Sequence, residues 1–84
     1  MRTDILSEAE QVLDARGAEY GPAGLSLAAL STRWSHILGT PVSPAQAALC
    51  LIDLKLVRLA HNPSHRDSLV DVIGYAAIAA EVQP

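Results

Sequence analysis

Residues 55–76 read KLVRLAHNPSHRDSLVDVIGYA, and this stretch decides the predicted fold. Two cations, Lys55 and Arg58, precede a short polar turn, and two carboxylates, Asp67 and Asp71, follow it. The segments on both sides of the turn are otherwise apolar, and the proline in the turn disfavours a helix at the residue before it. A short connection between two helices favours an antiparallel hairpin. We therefore predict two antiparallel helices with four charges between them.

Length and composition bound the rest of the fold. The chain has 84 residues, of which 50% are hydrophobic, so it is long enough for one small core. It contains no Phe, and its aromatic residues are Tyr20, Trp34 and Tyr75. The core must therefore consist of aliphatic side chains and alanine, which let helices pack closely. We predict that residues 1–84 form a single all-α domain, a small four-helix bundle.

Glycines mark the predicted ends of the first two helices. The first helix is predicted from about residue 4 to 16, with Gly17 as its left-handed C-terminal cap. The segment GAEYGPAG that follows contains three glycines and a proline, and it predicts a loop around Tyr20. The second helix is predicted over about residues 25–38, because its apolar side chains recur at helical spacing and Gly39 ends it.

The hairpin helices have their own start signals. Ser43 is the predicted N-cap of the third helix, and Gln46, three residues later, completes a capping box. This helix is predicted to continue to about residue 61. Ser64 is the predicted cap of a fourth helix, which starts at residue 65 or 67 and continues to about residue 82.

The third helix is apolar on nearly every side, and this pattern predicts self-association. Leu49, Leu51, Ile52 and Leu54 cannot all lie on one stripe of a helix. In so small a protein, such a helix needs more cover than three neighbouring helices supply. We therefore expect a homo-oligomer, formed through the apolar faces of the third and fourth helices.

Charge and cysteine content exclude several classes of function. The formal net charge is -3 and no basic run occurs, which argues against binding to a nucleic-acid backbone. The longest apolar run, Ala47–Ile52, is far shorter than the ~20 residues of a membrane span. Cys50 is the only cysteine, so no intrachain disulfide can form. We expect a cytoplasmic protein without a membrane partner, in the host cytoplasm if a phage encodes it.

The charges of the hairpin allow two interpretations. Counted outward from the turn, Arg58 lies level with Asp67 to Asp71, and Lys55 lies level with Asp71 to Tyr75. The charges therefore pair across the hairpin, and this pairing can serve only to fix its register. Alternatively the cluster binds a ligand: Lys55 and Arg58 suit an anionic phosphate, and Asp67 and Asp71 suit a divalent cation such as Mg²⁺. Both interpretations stay open at this point.

Several motifs resemble known families. The pairs Arg16-Gly17 and Tyr20-Gly21, then Trp34, Lys55-x-x-Arg58 and DSLVDVIGYA, resemble a family of short helical proteins of phages and their actinobacterial hosts. That family has no known function, and the likeness covers most of the chain. More distantly, Lys-x-x-Arg followed by Asp-x-x-x-Asp-x-x-x-Tyr is similar to the nucleotide-modification-associated domains of phages. The all-α layout also resembles the MazG-like nucleoside triphosphate pyrophosphohydrolases.

The MazG-like resemblance implies a Mg²⁺ site that this sequence matches incompletely. That family holds Mg²⁺ with Glu-Glu-x-x-Glu on one helix and Glu-x-x-Asp on a later one. Asp67 and Asp71 match the second element at a spacing of four instead of three. The predicted second helix has no carboxylate, and the third has only Asp53. Two-metal phosphoryl chemistry normally needs more acidic ligands, so binding is favoured over hydrolysis.

We therefore predict a phage-type accessory protein that binds a nucleotide or a nucleotide-like phosphate without catalysis and without a required cofactor. One alternative is a Mg²⁺-dependent pyrophosphohydrolase that holds its metal with Asp67 and Asp71. Another is an interaction protein that binds a host protein, with its charges paired only internally. The predicted ligand-binding residues are Lys55, Arg58, Asp67, Asp71 and Tyr75, with Arg16 and Tyr20 as second choices that reach toward the two carboxylates.

Overall fold

The computed structural model describes residues 1–83, and these residues form four α-helices and no strand. The all-α fold predicted from the sequence is therefore confirmed. No helix in the described part of the chain is both long enough and apolar enough to cross a membrane. The helices are α1 (Arg2–Tyr20), α2 (Ala23–Leu38), α3 (Pro44–His61) and α4 (Arg66–Glu81).

Helices α3 and α4 form the predicted hairpin and make the most extensive helix contact of the fold. The capping box at the start of α3 is present as predicted: Gln46 N donates to Ser43 Oγ at 3.1 Å, and Ser43 N donates to Gln46 Oε1 at 2.9 Å. In the turn, the backbone N–H of Ser64 donates to Asn62 Oδ1 at 3.3 Å. These local bonds satisfy backbone groups that the helix ends leave without partners.

The end of α1 differs from the prediction. The helix continues through Gly17 to Tyr20, and the left-handed residue after it is Gly21, with φ of +85°. The predicted loop around Tyr20 therefore reduces to Gly21 and Pro22, and α2 begins at Ala23. A glycine inside a helix costs about 1 kcal/mol relative to alanine. The N–H of Gly21 donates to Gly17 O at 2.9 Å, which closes this additional turn. The predicted end of α2 at Gly39 is confirmed, with φ of +69°.

The predicted cap of α4 is also wrong by one residue. His65 is the N-cap, and the Ser64 hydroxyl donates to Asn62 Oδ1 at 3.1 Å instead. His65 Nδ1 lies 2.7 Å from Oγ of the fully buried Ser68, so the imidazole binds a side chain of the first turn. The Ser64 hydroxyl therefore binds the side chain of Asn62 in the turn and does not cap α4; asparagine side chains commonly stabilise turns by such local hydrogen bonds.

The core is small and rich in alanine, as the composition predicts. Its main cluster lies between α2, α3 and α4, and α1 contributes only the partly buried Leu13 to it. Gly74 of α4 lies against this Leu13, because a Cβ atom added at Gly74 would be 3.5 Å from Leu13 Cδ2. Trp34 packs on the cluster and is only partly buried. The buried apolar residues are Ala9, Leu27, Ala47, Ala48, Val70, Ile78 and Ala79.

Candidate functional site

A carboxylate between two cations forms the centre of the candidate site. Lys55 Nζ of α3 lies 2.9 Å from Oδ2 of Asp71 on α4. Arg16 Nη2 of α1 lies 3.4 Å from Oδ1 of the same carboxylate. Three helices therefore meet at this group of Lys55, Asp71 and Arg16, which we call the charge triad. Its formal charge is +1, since two cations share one anion.

Burial distinguishes the two cations. The side chains of Lys55 and Asp71 are 12% and 9% exposed, whereas that of Arg16 is 51% exposed. Lys55 and Asp71 form a short, largely desolvated ion pair, and loss of one partner from such a pair is costly. Arg16 lies at the solvent side with a longer contact, so its guanidinium keeps most of its five N–H donors free for another acceptor.

The charge triad borders a cavity of about 500 Å³ between α1, α2 and α4. Arg16 and Asp71 lie in its wall, while Lys55 is outside the wall. Tyr20 of α1 and Tyr75 of α4 also line the cavity, and the remaining wall is mostly apolar. We call this space the α1 cavity. Its volume lies within the range of small-molecule sites, which combine apolar walls with a few polar groups.

The structure brings five of the seven predicted ligand-binding residues together. The predicted pairing of Lys55 with Asp71 is confirmed, and Arg16, a second choice in the prediction, reaches Asp71 from α1. Tyr20 and Tyr75 lie in the same cavity wall. These five residues come from three helices.

Arg58 and Asp67 lie apart from this site. Both side chains are exposed, and neither forms an ion pair with the residues that the structure describes. The predicted neutral set of four charges is therefore not formed. Successive residues of a helix are rotated by about 100°, so Arg58 is turned by about 60° from Lys55 and lies one turn closer to the end of the hairpin. This rotation directs it to solvent.

The predicted Mg²⁺ ligands lie in different surroundings. Asp71 is already bound by two cations, and Asp67 is exposed. Within residues 1–83, no group of three or more His, Cys, Asp or Glu side chains is placed to hold a metal ion. Asp53, the one carboxylate of α3, is exposed to solvent. A Mg²⁺ site at Asp67 and Asp71 stays a prediction, with at most two protein ligands from this chain.

One long-range ion pair escaped prediction. Nε of Arg66, the first residue of α4, donates to Oε2 of Glu8 on α1 at 2.8 Å, and Nη2 of Arg66 lies 2.7 Å from the same oxygen. The sequence carries no signal for it, because the two residues are 58 positions apart.

The sequence does carry a signal for the role of α1 in the cavity. If the helix continues past Gly17, Arg16 and Tyr20 are four residues apart and share one face.

Comparison with known proteins supplies the family. Residues 4–83 match the family described as Domain of unknown function (DUF6378). The chain belongs to this DUF6378 family. The resemblance to a phage family of unknown function is thereby confirmed, because one similar protein is the "Gene 55 protein" of Mycobacterium phage L5. It is 32% identical over 81 residues, which cover 94% of this chain and 52% of the phage protein.

A second similar protein is much longer than this chain. A Lysobacter enzymogenes protein named as a "Probable ATPase" is 33% identical over 81 residues, which cover 90% of this chain but 8% of that protein. The chain thus spans about half the length of the phage relative and under a tenth of the Lysobacter one. No solved structure matches the chain significantly.

Proposed function

We propose that this DUF6378 chain is a phage-type accessory protein that binds a small anionic ligand, a nucleotide or a nucleotide-like phosphate, in the α1 cavity. One observation carries the proposal: a triad with a net positive charge borders a cavity of about 500 Å³ that two tyrosines line. In this proposal Arg16 contacts the phosphate, and Tyr20 and Tyr75 contact the base or sugar.

The distances in the charge triad support different roles for its members. The 2.9 Å contact of Lys55 with Asp71 has the length of a strong charge-assisted hydrogen bond, and it fixes α3 against α4. The 3.4 Å contact of Arg16 is longer than such a bond, so the guanidinium can turn to a phosphate at little cost. Arginine suits this role because its planar donors match two phosphate oxygens at once.

The cavity wall suits the rest of a nucleotide. Tyr20 and Tyr75 offer aromatic faces, and stacking of a base on an aromatic side chain is worth about 1–3 kcal/mol. The apolar part of the wall favours a ligand whose charge is confined to one end. The Lysobacter relative is named as an ATPase, which makes adenine nucleotides the first ligands to test, although the shared segment is 8% of that protein.

A thermal-shift panel tests the proposal. The purified chain is heated with nucleoside mono-, di- and triphosphates and with cyclic nucleotides, each with and without Mg²⁺. A ligand present at about 100 times its dissociation constant stabilises the folded state by about 2.7 kcal/mol, which raises the melting temperature. If none of these compounds raises it, the proposal is wrong. Pyrophosphate release that requires Mg²⁺ would instead support the enzymatic alternative.

A pair of arginine variants locates the ligand. Arg16→Gln should weaken a bound nucleotide by roughly tenfold to a hundredfold, because a hydrogen bond to a charged group contributes about 1.5–3 kcal/mol. Arg58→Gln is the matched control, since Arg58 is exposed and outside the cavity wall. Titration calorimetry on both variants gives the two affinities. Loss of binding in Arg58→Gln alone would place the ligand on the exposed side of the hairpin instead.

A further inference from the structure

The outer face of α3 exposes an unusual amount of apolar surface. We define this face by Leu49, Cys50, Leu54, Leu56 and Val57, all of which are exposed; Val57 is 66% exposed. Leu38 at the end of α2 is also exposed, and it lines the same surface hollow as Leu49 and Cys50. Contiguous apolar surface of this kind typically marks a site of protein association.

The accessible surface of the chain is larger than that of a typical folded monomer of the same mass. The accessible surface is 5808 Å². A folded monomer of 8.9 kDa exposes about 4800 Å² according to the scaling of surface with mass. The excess of about 1000 Å² is comparable to the ~800 Å² that each partner buries in a standard protein interface. A second copy of the chain is an occupant that removes this excess from both molecules.

We propose that two copies pair through the outer faces of their α3 helices, which run parallel and in register. Four exposed residues of α3 follow one another at spacings of four, three and four, which is the repeat of a helix-pairing seam. We call this row the α3 seam. Its residues are Cys50, Leu54, Val57 and His61.

Charges beside the α3 seam favour a parallel orientation of the two α3 helices. Asp53 and Arg58 are exposed and lie on opposite sides of the seam, about 70° away from its centre line. They are five residues apart, the spacing at which flanking residues of two parallel helices form ion pairs. A parallel dimer therefore contains two Asp53–Arg58 pairs between copies. In an antiparallel dimer, each flank faces its own equivalent, so these opposite charges do not meet.

The dimer and the α1 cavity use different parts of the chain. The cavity is lined by α1, α2 and α4, and the one residue of α3 in its wall is Leu51. Leu51 is not in the α3 seam. The two proposals can therefore fail separately. A chain that dimerises without binding a nucleotide supports only the dimer, and a monomer that binds a nucleotide supports only the proposed function.

The oligomeric state is the first test. Sedimentation equilibrium should give the mass of two chains at high concentration and dissociation on dilution. Val57→Lys should shift the chain to a monomer, because it places two cations in the centre of the seam. Leu25→Lys, at an equally exposed leucine near the start of α2, should leave the dimer mass unchanged. A monomeric wild-type chain at all concentrations, or a dimer that survives Val57→Lys, overturns the proposal.

The single cysteine reports the orientation. In a parallel, in-register pair the two Cys50 thiols face each other across the symmetry axis, so a short bifunctional maleimide should link the two chains. The control is the double variant Cys50→Ser, Gln11→Cys, which moves the thiol to an exposed position of α1 and should not be linked. A dimer in which Cys50 fails to cross-link contradicts the parallel register.

Charge reversal provides an independent check. Asp53→Arg should raise the dissociation constant of the dimer about tenfold, because two exposed ion pairs become repulsive contacts. The double variant Asp53→Arg, Arg58→Asp restores opposite charges in a parallel pair, and it should recover most of the affinity. If the double variant dimerises as weakly as the single one, the two residues do not meet and the register is wrong. Circular dichroism checks that every variant remains helical.

Discussion

At the scale of single residues, Asp71 determines how the charges are arranged. Lys55 Nζ lies 2.9 Å from one of its carboxylate oxygens and Arg16 Nη2 lies 3.4 Å from the other, and Asp71 is the only charged residue in the buried part of the described chain. A carboxylate removed from water requires such partners, because burial of an unpaired charge costs several kcal/mol. The buried Lys55 joins α3 to α4 through Asp71, whereas the half-exposed Arg16 lies in the cavity wall.

Removal of the Lys55 charge tests this assignment. Lys55→Met should destabilise the chain by about 3 kcal/mol, because it leaves Asp71 buried with only its longer contact to Arg16. The melting temperature of a domain of this size should then fall by more than about 10 °C. Arg33→Met, at an exposed cation of α2, should change the free energy of unfolding by less than about 0.5 kcal/mol. If both variants lose the same free energy of unfolding, the ion pair of Lys55 with Asp71 contributes no more to stability than an exposed charge does.

The same residues show how far sequence reasoning extends. The pairing of Lys55 with Asp71 was predictable, because the short turn fixes the register of the hairpin. The position of Arg16 was only a second choice, because it depends on how α1 packs against α4. Counting outward from the turn places Arg58 in the site, level with Asp67 to Asp71. The rotation of about 60° between them, which directs it to solvent, matters only once the buried side of α3 is known.

At the scale of elements, local signals predicted some helix ends and not others. Ser43 and Gln46 bond to each other's backbone, so the start of α3 needs no information from the rest of the fold. The end of α1 is different, because Gly17 and Gly21 both offer a left-handed residue. The backbone bond from Gly21 N–H to Gly17 O continues the helix to the later one. Both glycines give the same local signal in the sequence, and the prediction therefore ended the helix one turn too early.

Two glycine substitutions distinguish these ends by experiment. Gly17→Ala should stabilise the chain by up to about 1 kcal/mol, because the residue is inside a helix and its added Cβ would meet nothing within 4 Å. Gly21→Ala should destabilise it by about 1 kcal/mol, because the φ of +85° is unfavourable for alanine. Urea unfolding of both variants measures the difference. The opposite order of stabilities would mean that α1 ends at Gly17.

At the scale of the whole molecule, the buried core is small relative to the accessible surface of the chain. Of the seven buried apolar residues, four are alanines, so Leu27, Val70 and Ile78 provide most of the buried apolar side-chain volume. The radius of gyration is 13.3 Å, against about 12 Å for a compact domain of this length. A small core implies low stability, and each large buried side chain then accounts for a large share of it.

Two leucines on one helix test this dependence. Leu27 is 5% exposed and Leu25 is 70% exposed, although both lie in the first two turns of α2. Leu27→Ala should cost about 2–5 kcal/mol, the usual range for a cavity in a core, and should leave the chain partly unfolded at room temperature. Leu25→Ala should cost less than about 0.5 kcal/mol. A fully folded Leu27→Ala chain would show that the stability comes from elsewhere, for example from a second copy.

The short connection after α1 has a consequence for motion. α1 contributes one fully buried residue, Ala9, and it joins α2 through Gly21 and Pro22 alone. Its attachment to α4 includes ion pairs whose cations are about half exposed, and such pairs add little stability. α1 is therefore the helix whose detachment costs least free energy, with a natural hinge at Gly21. If the cavity beneath it holds a ligand, the swinging of this one helix sets how fast that ligand enters and leaves.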